Sequence, residues 1–504
     1  MTAYYPDFFN DVFGPVMQPG SSSHTAGPCR IGRLARCLVD GKLKKITVEL
    51  DKNGSFAGTF GLMSEDLGML AGAYGLMPDD ERMFDIKKIL AEENIAWEFV
   101  YTPFPQGSHP NAVRFILEDE AGKCFSLLGN STGGGMAETV EINGIRYGFV
   151  GDSYLYCLKN RPENAAFDTV VNANGEERYI VKCGEKTPFD GVDFCLVPVL
   201  PVHAPEKRGP QLFDSFVKWR EYAEKYSLSL AEAAVEYEKR ASGLSGEEIY
   251  ARMNVLKGYM RAQTQNAYED DTNVLENPYT GFHFRKWEKY EKGRALAGDV
   301  SKLATHYAFG VQAQARGVRL VPGPMGTGGG YLYAALRSVK ETYGFSDEKE
   351  TEALMVAACV GAIAYTRTDP TGEMTGCTGE CGVCGAMASA AITYMAGGTP
   401  QQVENAASLM LQAAIGWPCD PIPGGLNQPC ISRVLTAVNM SIVFSDLALS
   451  GKEAFLPFHE VLDVADRMGK EMPAALKCTS CGGTCTAPTA VKCKAEYEEW
   501  YGKK

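Results

Sequence analysis

The stretch WPCDPIPGGLNQPCISR (417–433) decides how the second half of this chain is read. Cys419 and Cys430 lie eleven residues apart with three prolines and two glycines between them, and Asp420 and Arg433 are the only charges. Neither a helix interior nor a central strand tolerates that proline density. The segment is therefore expected to be a loop of fixed shape presenting two thiols.

Outward from it, the 73 residues from Met374 to Asp446 carry only Glu380, Glu404, Asp420, Arg433 and Asp446 as charges, in a chain that is 22% charged overall. So charge-poor a stretch must be largely buried. The charges it keeps are costly there unless they are paired or bind something. The flanking periodicity is helical, and helices are expected over 298–315, 330–343, 348–367, 385–396, 401–415, 432–449 and 459–471. Upstream, Ser229 with Glu232 and Ser245 with Glu248 form capping-box patterns that open amphipathic helices. Residues 1–200 instead alternate strand-like runs (KKITVEL, AVRFILEDE, RYGFVG, DFCLVPVL) with Gly- and Asn-containing turns. The expectation is an α+β N-terminal domain (1–205), a helical connector (206–270) and a mostly α-helical catalytic domain (271–504).

A length of 504 residues, a net charge of −13 and a pI near 5.2 fit an enzyme and argue against a nucleic-acid or anionic-membrane partner. The N-terminal MTAYYPDFFNDVFGP lacks a basic n-region followed by an apolar h-region, so no signal peptide is expected. The uncharged apolar run from Ala353 to Thr366 is too short to span a bilayer. A cytoplasmic location follows as the expectation, and a disulfide framework among the sixteen cysteines is not expected there. Nine of the sixteen lie between Cys377 and Cys493, a crowding that small-hydrophobe packing does not explain and that metal or cluster ligation does.

Several arrangements could hold such a group. Cys377, Cys381 and Cys384 in GCTGECGVCG have the spacing of a radical cluster loop, but no β/α barrel follows. Cys381 and Cys384 with Cys478 and Cys481 could form a zinc site, although their separation far exceeds that of zinc ribbons. Cys485 lies close behind. In the first domain QPGSSSHTAGPCRIGRLARCL (18–38) places hydroxyls before a helix carrying Arg30, Arg33 and Arg36, a start suited either to capping or to binding a carboxylate or phosphate. GSHPN (107–111), GNSTGGG (129–135) and PGPMGTGGG (322–330) are glycine-rich loops that let backbone approach a ligand.

Together these pieces resemble the iron–sulfur-dependent L-serine dehydratases, with the β-type and α-type domains fused in one chain. SSSHTAGP (21–28), GSFAGTFG (54–61), HPN (109–111) and STGGG (131–135) match in order in the first domain. GCTGECGV (376–383), CDP (419–421), the Pro429-Cys430-Ile431 group and TSCGG (479–483) match in order in the second. The resemblance implies that Cys377, Cys419 and Cys430 ligate a [4Fe–4S] cluster whose fourth iron has no cysteine. Such an iron acts as a Lewis acid on a substrate hydroxyl and is vulnerable to oxygen. It further implies catalytic roles for Ser22, Ser23, His24 and Thr25. Substrate binding would fall to His109, Asn111, Gly133, Gly134, Thr327, Arg433, Thr479 and Ser480. The implied reaction converts L-serine to pyruvate and ammonia in a homodimer.

The chain departs from the family pattern at several points. Met63 in LMSED stands where a His-Gly-Thr-Asp segment begins, Met325 interrupts the Pro-Thr-x-Gly loop, and Ser432 and Val434 replace Glu and Asn around Arg433. Another β-substituted amino or hydroxy acid, such as cysteine or threonine, is the alternative substrate. A zinc-binding or redox-sensing protein is the alternative of another class. The general base is not identified by the sequence.

Overall fold

The structure, a computed structural model, describes residues 5–61, 63–172, 174–203, 208–275, 283–293, 295–422 and 429–501. Two compact units emerge: residues 20–208, and residues 2–19 together with 209–504.

The first unit is α+β. Its elements are α1 (Gly27–Arg36), β1 (Leu43–Asp51), α2 (Ser55–Thr59), α3 (Glu65–Tyr74), α4 (Ile86–Glu92), β2 (Ala96–Thr102), β3 (Ala112–Asp119), β4 (Cys124–Gly133), β5 (Met136–Ile142), β6 (Ile145–Phe149), β7 (Tyr154–Leu158), β8 (Asp168–Val171), β9 (Glu177–Cys183) and β10 (Val192–Leu196). Strands β2-β1-β3-β4-β5-β6 form one sheet, parallel only at β1/β2, and β10-β7-β9-β8 form a second. Alternation decides the buried face: Ile46, Val48 and Leu50 of β1 and Phe125 and Leu127 of β4 point inward. Helices α1 and α3 pack against one another and α1 lies on β4. Their crossing needs glycine, since a Cβ on Gly72 would fall 1.9 Å from the Cys29 carbonyl oxygen.

The second unit is helical: α5 (Phe216–Lys225), α6 (Leu230–Ser242), α7 (Gly246–Glu269), α8 (His283–Glu291), α9 (Asp299–Ala313), α10 (Gly328–Tyr343), α11 (Asp347–Arg367), α12 (Gly372–Cys377), α13 (Val383–Met395), α14 (Pro400–Ala414), α15 (Cys430–Leu449), α16 (Phe458–Glu471) and α17 (Pro488–Tyr501). Both capping boxes form, at Ser229/Glu232 and Ser245/Glu248. Helix α13 is buried on every side, as a charge-free run of Ala, Gly and Met must be, and packs against α10, α11, α14 and α15. By length and mean hydropathy α15 meets the requirement for a membrane span, yet here it packs on α9, α10, α13 and α14.

Residues 5–19 pack with the helices, although the sequence grouped 1–19 with the first domain. The reason is their apolar content: Phe8, Phe9, Val12, Phe13 and Met17 are buried. The Phe8 N–H donates to Glu238 Oε2 at 2.8 Å, Tyr237 Oη donates to the Pro6 carbonyl at 2.8 Å, and Met17 pairs antiparallel with Leu320. The connector expected over 206–270 contributes α5–α7 to this same unit.

Candidate functional site

In the second unit the site is built on a kink. Helix α12 breaks at Gly376 (φ 65°, ψ −161°), a backbone conformation open only to glycine, and a Cβ there would meet the Trp417 carbonyl oxygen at 2.5 Å. A π-helical turn, Thr378–Gly382, then leads into α13. Thr378 staples the turn to the incoming loop: its N–H donates to the Trp417 carbonyl at 3.2 Å, its hydroxyl to the Ala414 carbonyl at 2.9 Å, and Trp417 N–H returns a bond to Thr378 Oγ1 at 3.0 Å. Cys377 is thereby turned toward Cys419. The two sulfurs and a Glu380 carboxylate oxygen lie within 4.8 Å of one another. Gly372 keeps this spot open, because a Cβ on it would sit 2.9 Å from Cys419 Sγ and 3.2 Å from the Glu380 carboxyl.

The loop bearing Cys419 is clamped from two sides. Cys419 N–H donates to the Leu476 carbonyl at 2.9 Å and Cys478 N–H to the Cys419 carbonyl at 2.7 Å, a short parallel bridge to the strap 476–486. Asp420, 2% exposed, accepts from Arg433 Nη1 at 2.6 Å and from Thr484 N–H at 2.6 Å. The same Arg433 nitrogen donates to the Pro418 carbonyl at 2.6 Å and approaches Cys377 Sγ at 3.8 Å. Residues 423–428 of the proline-rich stretch lie outside the described residues. Cys430 is not in a loop, as the sequence suggested, but is the first residue of α15, because Pro429 takes the N-cap position and a proline is tolerated there. A thiolate at a helix N-terminus is favoured by the peptide dipoles.

Hydrogen bonds from the Cys381 and Cys419 thiols, with Arg433 beside it, hold the Cys377 thiol well below its usual range despite burial. The price falls on its neighbours. Bonding to Cys377 and Cys478 raises Cys419, burial and the Cys377 charge raise Cys430, and burial with the Cys377 charge raises the Glu380 carboxyl. One anion is comfortable here and a second is opposed. A bound cation relieves that opposition, so this donor set suits a thiophilic metal group.

The other residues singled out in this unit lie at the start of α10 and on the strap 476–486. Thr327 is the buried N-cap of α10, whose Gly328 could not bear a Cβ without coming 2.7 Å from Cys384 Sγ. Thr479 and Ser480 are half-buried on the strap, Thr479 Oγ1 donating to the Ala475 carbonyl at 3.2 Å and Ser480 Oγ to the Pro421 carbonyl at 3.5 Å. The four-cysteine zinc arrangement does not assemble: Cys384 packs against the glycine loop and Cys481 is exposed, its thiol bonding the Thr479 carbonyl at 3.2 Å.

In the first unit Ser22, Ser23, His24 and Thr25 form a π-helical turn running straight into α1, and all four are buried. Ser21 is the cap, accepting from His24 N–H at 3.2 Å. His24 bridges Ser23 Oγ (2.9 Å from Nδ1) and Ser55 Oγ (2.9 Å from Nε2). Thr25 Oγ1 donates to the Met63 carbonyl at 2.5 Å, and Ser131 Oγ donates to the Ser23 carbonyl at 2.6 Å. His109 Nδ1 accepts from Asn111 N–H at 3.1 Å, and the Asn111 carbonyl accepts from Ser131 N–H at 3.0 Å. Gly133 ends β4 and Gly134 opens the two-residue β4–β5 turn with Gly135, all three at positive φ. The first unit's segments 109–111 and 129–135 thus converge on the serine turn. Sequence reasoning passed over Glu65, whose carboxyl burial pushes up to about 8 and whose Oε2 accepts from Met63 N–H at 3.0 Å. It also passed over Glu373, buried in α12 beside the cysteines.

Comparison with known proteins finds a matching family model, serine dehydratase alpha chain, over residues 225–484. The L-serine dehydratase alpha chain of Peptoniphilus asaccharolyticus is 29% identical over 272 residues, 54% of this chain and 93% of that protein. The beta chain of the same organism is 32% identical over 163 residues, 32% of this chain and 72% of that protein. An L-serine dehydratase of Mycobacterium tuberculosis is 32% identical over 177 residues, 34% of this chain and 38% of that protein.

Proposed function

The chain belongs to the serine dehydratase alpha-chain family, with a beta-type unit fused ahead of it, and we propose that it is a [4Fe–4S]-dependent lyase converting L-serine to pyruvate and ammonia. The observation that carries this reading is the buried Cys377–Cys419 pair with Cys430 at the start of α15. It provides three thiolates for the cluster at a place where an uncompensated second anion is opposed. When bound, the cluster supplies an iron without a cysteine ligand, a Lewis acid that makes the substrate hydroxyl a better leaving group.

The protein's own groups do the rest. Arg433, anchored on Asp420 and Pro418, keeps a fixed positive charge beside Cys377 and offsets the negative charge that three thiolates bring. The nearly charge-free surroundings exclude water and strengthen each local interaction. Ser22 and Ser23 supply hydroxyl donors to the substrate carboxylate, and His24, bonded through Nδ1 to Ser23 Oγ and through Nε2 to Ser55 Oγ, orients both hydroxyls. In the reaction the Cα proton leaves to a base and the Cβ–O bond breaks with loss of water. The enamine tautomerises to an imine, which water hydrolyses to keto acid and ammonium.

A second reading keeps the reaction and changes the substrate: Met325 and Val434 stand where the family pattern has polar residues, which suits a thiol or methyl at Cβ, as in cysteine or threonine. The test is anaerobic purification with iron and sulfide assays, followed by keto-acid and ammonia release from L-serine, L-cysteine and L-threonine. Zinc without sulfide, or cluster-loaded protein inert on all three, would falsify the proposal.

A further inference from the structure

Edge strands present unpaired backbone groups, and proteins ordinarily blunt them with shortness, bulges, prolines or lysines. Three of the edge strands in the first unit follow that rule. Strand β8 has four residues, β6 pairs with β5 through a break in register, and β10 is irregular between Val192 and Phe194. Strand β2 (Ala96–Thr102) does not: it is seven residues long, joins β1 without a break, and contains neither proline nor lysine. We propose that the free edge of β2 is a self-association site, pairing antiparallel with β2 of a second copy of this chain about a two-fold axis at Phe99.

Backbone direction sets the register. The Lys52 N–H donates to the Thr102 carbonyl at 3.1 Å, and Thr102 pairs with Asp51, so the even-numbered residues of β2 turn their backbone groups toward β1. Trp97, Phe99 and Tyr101 turn theirs outward, where no described residue bonds them. In an antiparallel pair these outward residues must oppose one another. A two-fold at Phe99 achieves this over the whole strand. Phe99 then opposes Phe99 and Trp97 opposes Tyr101, each pair exchanging two N–H···O bonds. A two-fold at Glu98 would set like charges directly opposite. One at Val100 would set Trp97 against Pro103, which has no N–H to give.

The side chains agree with the same register. Trp97, Phe99 and Tyr101 share one face; Phe60 meets Phe99 at 4.8 Å and Tyr101 at 6.0 Å, and Trp97 meets Phe99 at 6.0 Å, all edge-on. Trp97 is 39% and Tyr101 48% exposed, and across the axis each lies opposite the other, an arrangement in which aromatic cross-strand pairs are stabilising. On the other face Glu98 is held by Lys45 at 2.7 Å and accepts from the Thr47 hydroxyl at 3.1 Å. Across the axis it meets the exposed Val100 rather than a charge. In a chain of net charge −13, two copies therefore meet here without bringing unpaired acids together.

The experiment follows the full chain by sedimentation velocity and by hydrogen exchange over residues 96–102. Wild type should associate, with the outward amides of Trp97, Phe99 and Tyr101 protected. Val100→Glu sets an acid opposite Glu98 of the other copy and should weaken association roughly tenfold or more, with fast exchange at those amides. Val100→Lys sets a cation there and should associate at least as well as wild type. If Val100→Glu fails to fold, Tyr101→Pro takes its place, because the N–H it removes points outward and the β1 ladder stays whole. Monomeric wild type overturns the inference and leaves the edge to some other strand. Associated wild type whose outward amides exchange fast also overturns it, since the copies then meet by another face. Equal association of Val100→Glu and Val100→Lys overturns it as well.

Discussion

Replacing Asp420 by alanine removes the acceptor that joins three segments of the site. Its carboxyl takes short bonds from Arg433 on α15 and from the Thr484 N–H of the strap, and its side chain is 2% exposed, with Arg433 at 17%. An exposed ion pair contributes about 0–1 kcal/mol. Breaking a buried one by deleting a single partner costs about 3–5 kcal/mol, because the surviving charge stays buried and unpaired. The expected destabilisation of Asp420→Ala is in that upper range. The assay is urea denaturation of the apoprotein followed by far-UV circular dichroism, with ΔΔG taken from the midpoint shift and the slope. A double-mutant cycle sharpens it: Asp420→Ala with Arg433→Met should be less destabilised than Asp420→Ala alone, since no orphan guanidinium remains. Removing the exposed Lys492–Glu496 pair should change stability by under about 0.5 kcal/mol. If Asp420→Ala costs less than about 1 kcal/mol, or the double variant is the worse of the two, the clamp is not the charge pair described here.

Cys377→Ala, Cys419→Ala and Cys430→Ala should each fail to hold a cluster on anaerobic loading, while Cys37→Ala keeps full iron content; full loading of all three would refute the ligand set. Gly376→Ala should lower iron occupancy and destabilise the helical unit by about 1–3 kcal/mol, read by iron assay and urea midpoint, because the left-handed kink has no room for Cβ. Ser22→Ala and Ser23→Ala should each lose about ten- to a hundredfold in kcat/KM, roughly 1.5–3 kcal/mol, with the cluster spectrum unchanged; wild-type kinetics would reduce this turn to a helix cap. Glu65, raised by burial from 4.5 to about 8, binds a proton in the folded state that the unfolded state releases, so stability should fall as pH rises between those values. Glu65→Gln should flatten that slope in thermal melts, and an unchanged slope would show that Glu65 does not cause it.

The helices were legible because their signals are local. The run expected over 459–471 is α16, Phe458–Glu471, and both capping boxes form as written. The three cysteines could be picked out through the family spacing, and the poverty of charge around them marked a buried site. What was not legible depends on distant partners. Glycines at 372, 376, 379 and 382 give the turn before α13 no helical signal, and its shape is imposed by the Trp417 carbonyl some forty residues on. The Cys478 N–H bonds the carbonyl of a residue 59 positions away, and no pattern in KCTSCGGTC announces the parallel bridge of Lys477 with Cys419. Glu65 was missed because acids at a helix start, here Glu65 and Asp66, normally read as dipole partners facing solvent, whereas α3 is packed on α1 and buries both.

The allocation of residues 5–19 to the helical unit has a consequence for how the chain is made and taken apart. The first unit is an insertion: residues 5–19 lie among the helices, and the chain leaves them at Pro19 and returns at Gly209. Residues 5–19 must therefore wait for partners such as Glu238, Leu320 and Gly361, which are translated hundreds of residues later. During that interval Phe8, Phe9, Val12, Phe13 and Met17 have no home, an apolar segment that invites chaperone binding or misdocking. Once seated, it is a plug. A single cut near residue 208 would leave the two pieces joined through five buried side chains at about 1.5–3 kcal/mol apiece, so a nicked chain should migrate as one species until denatured.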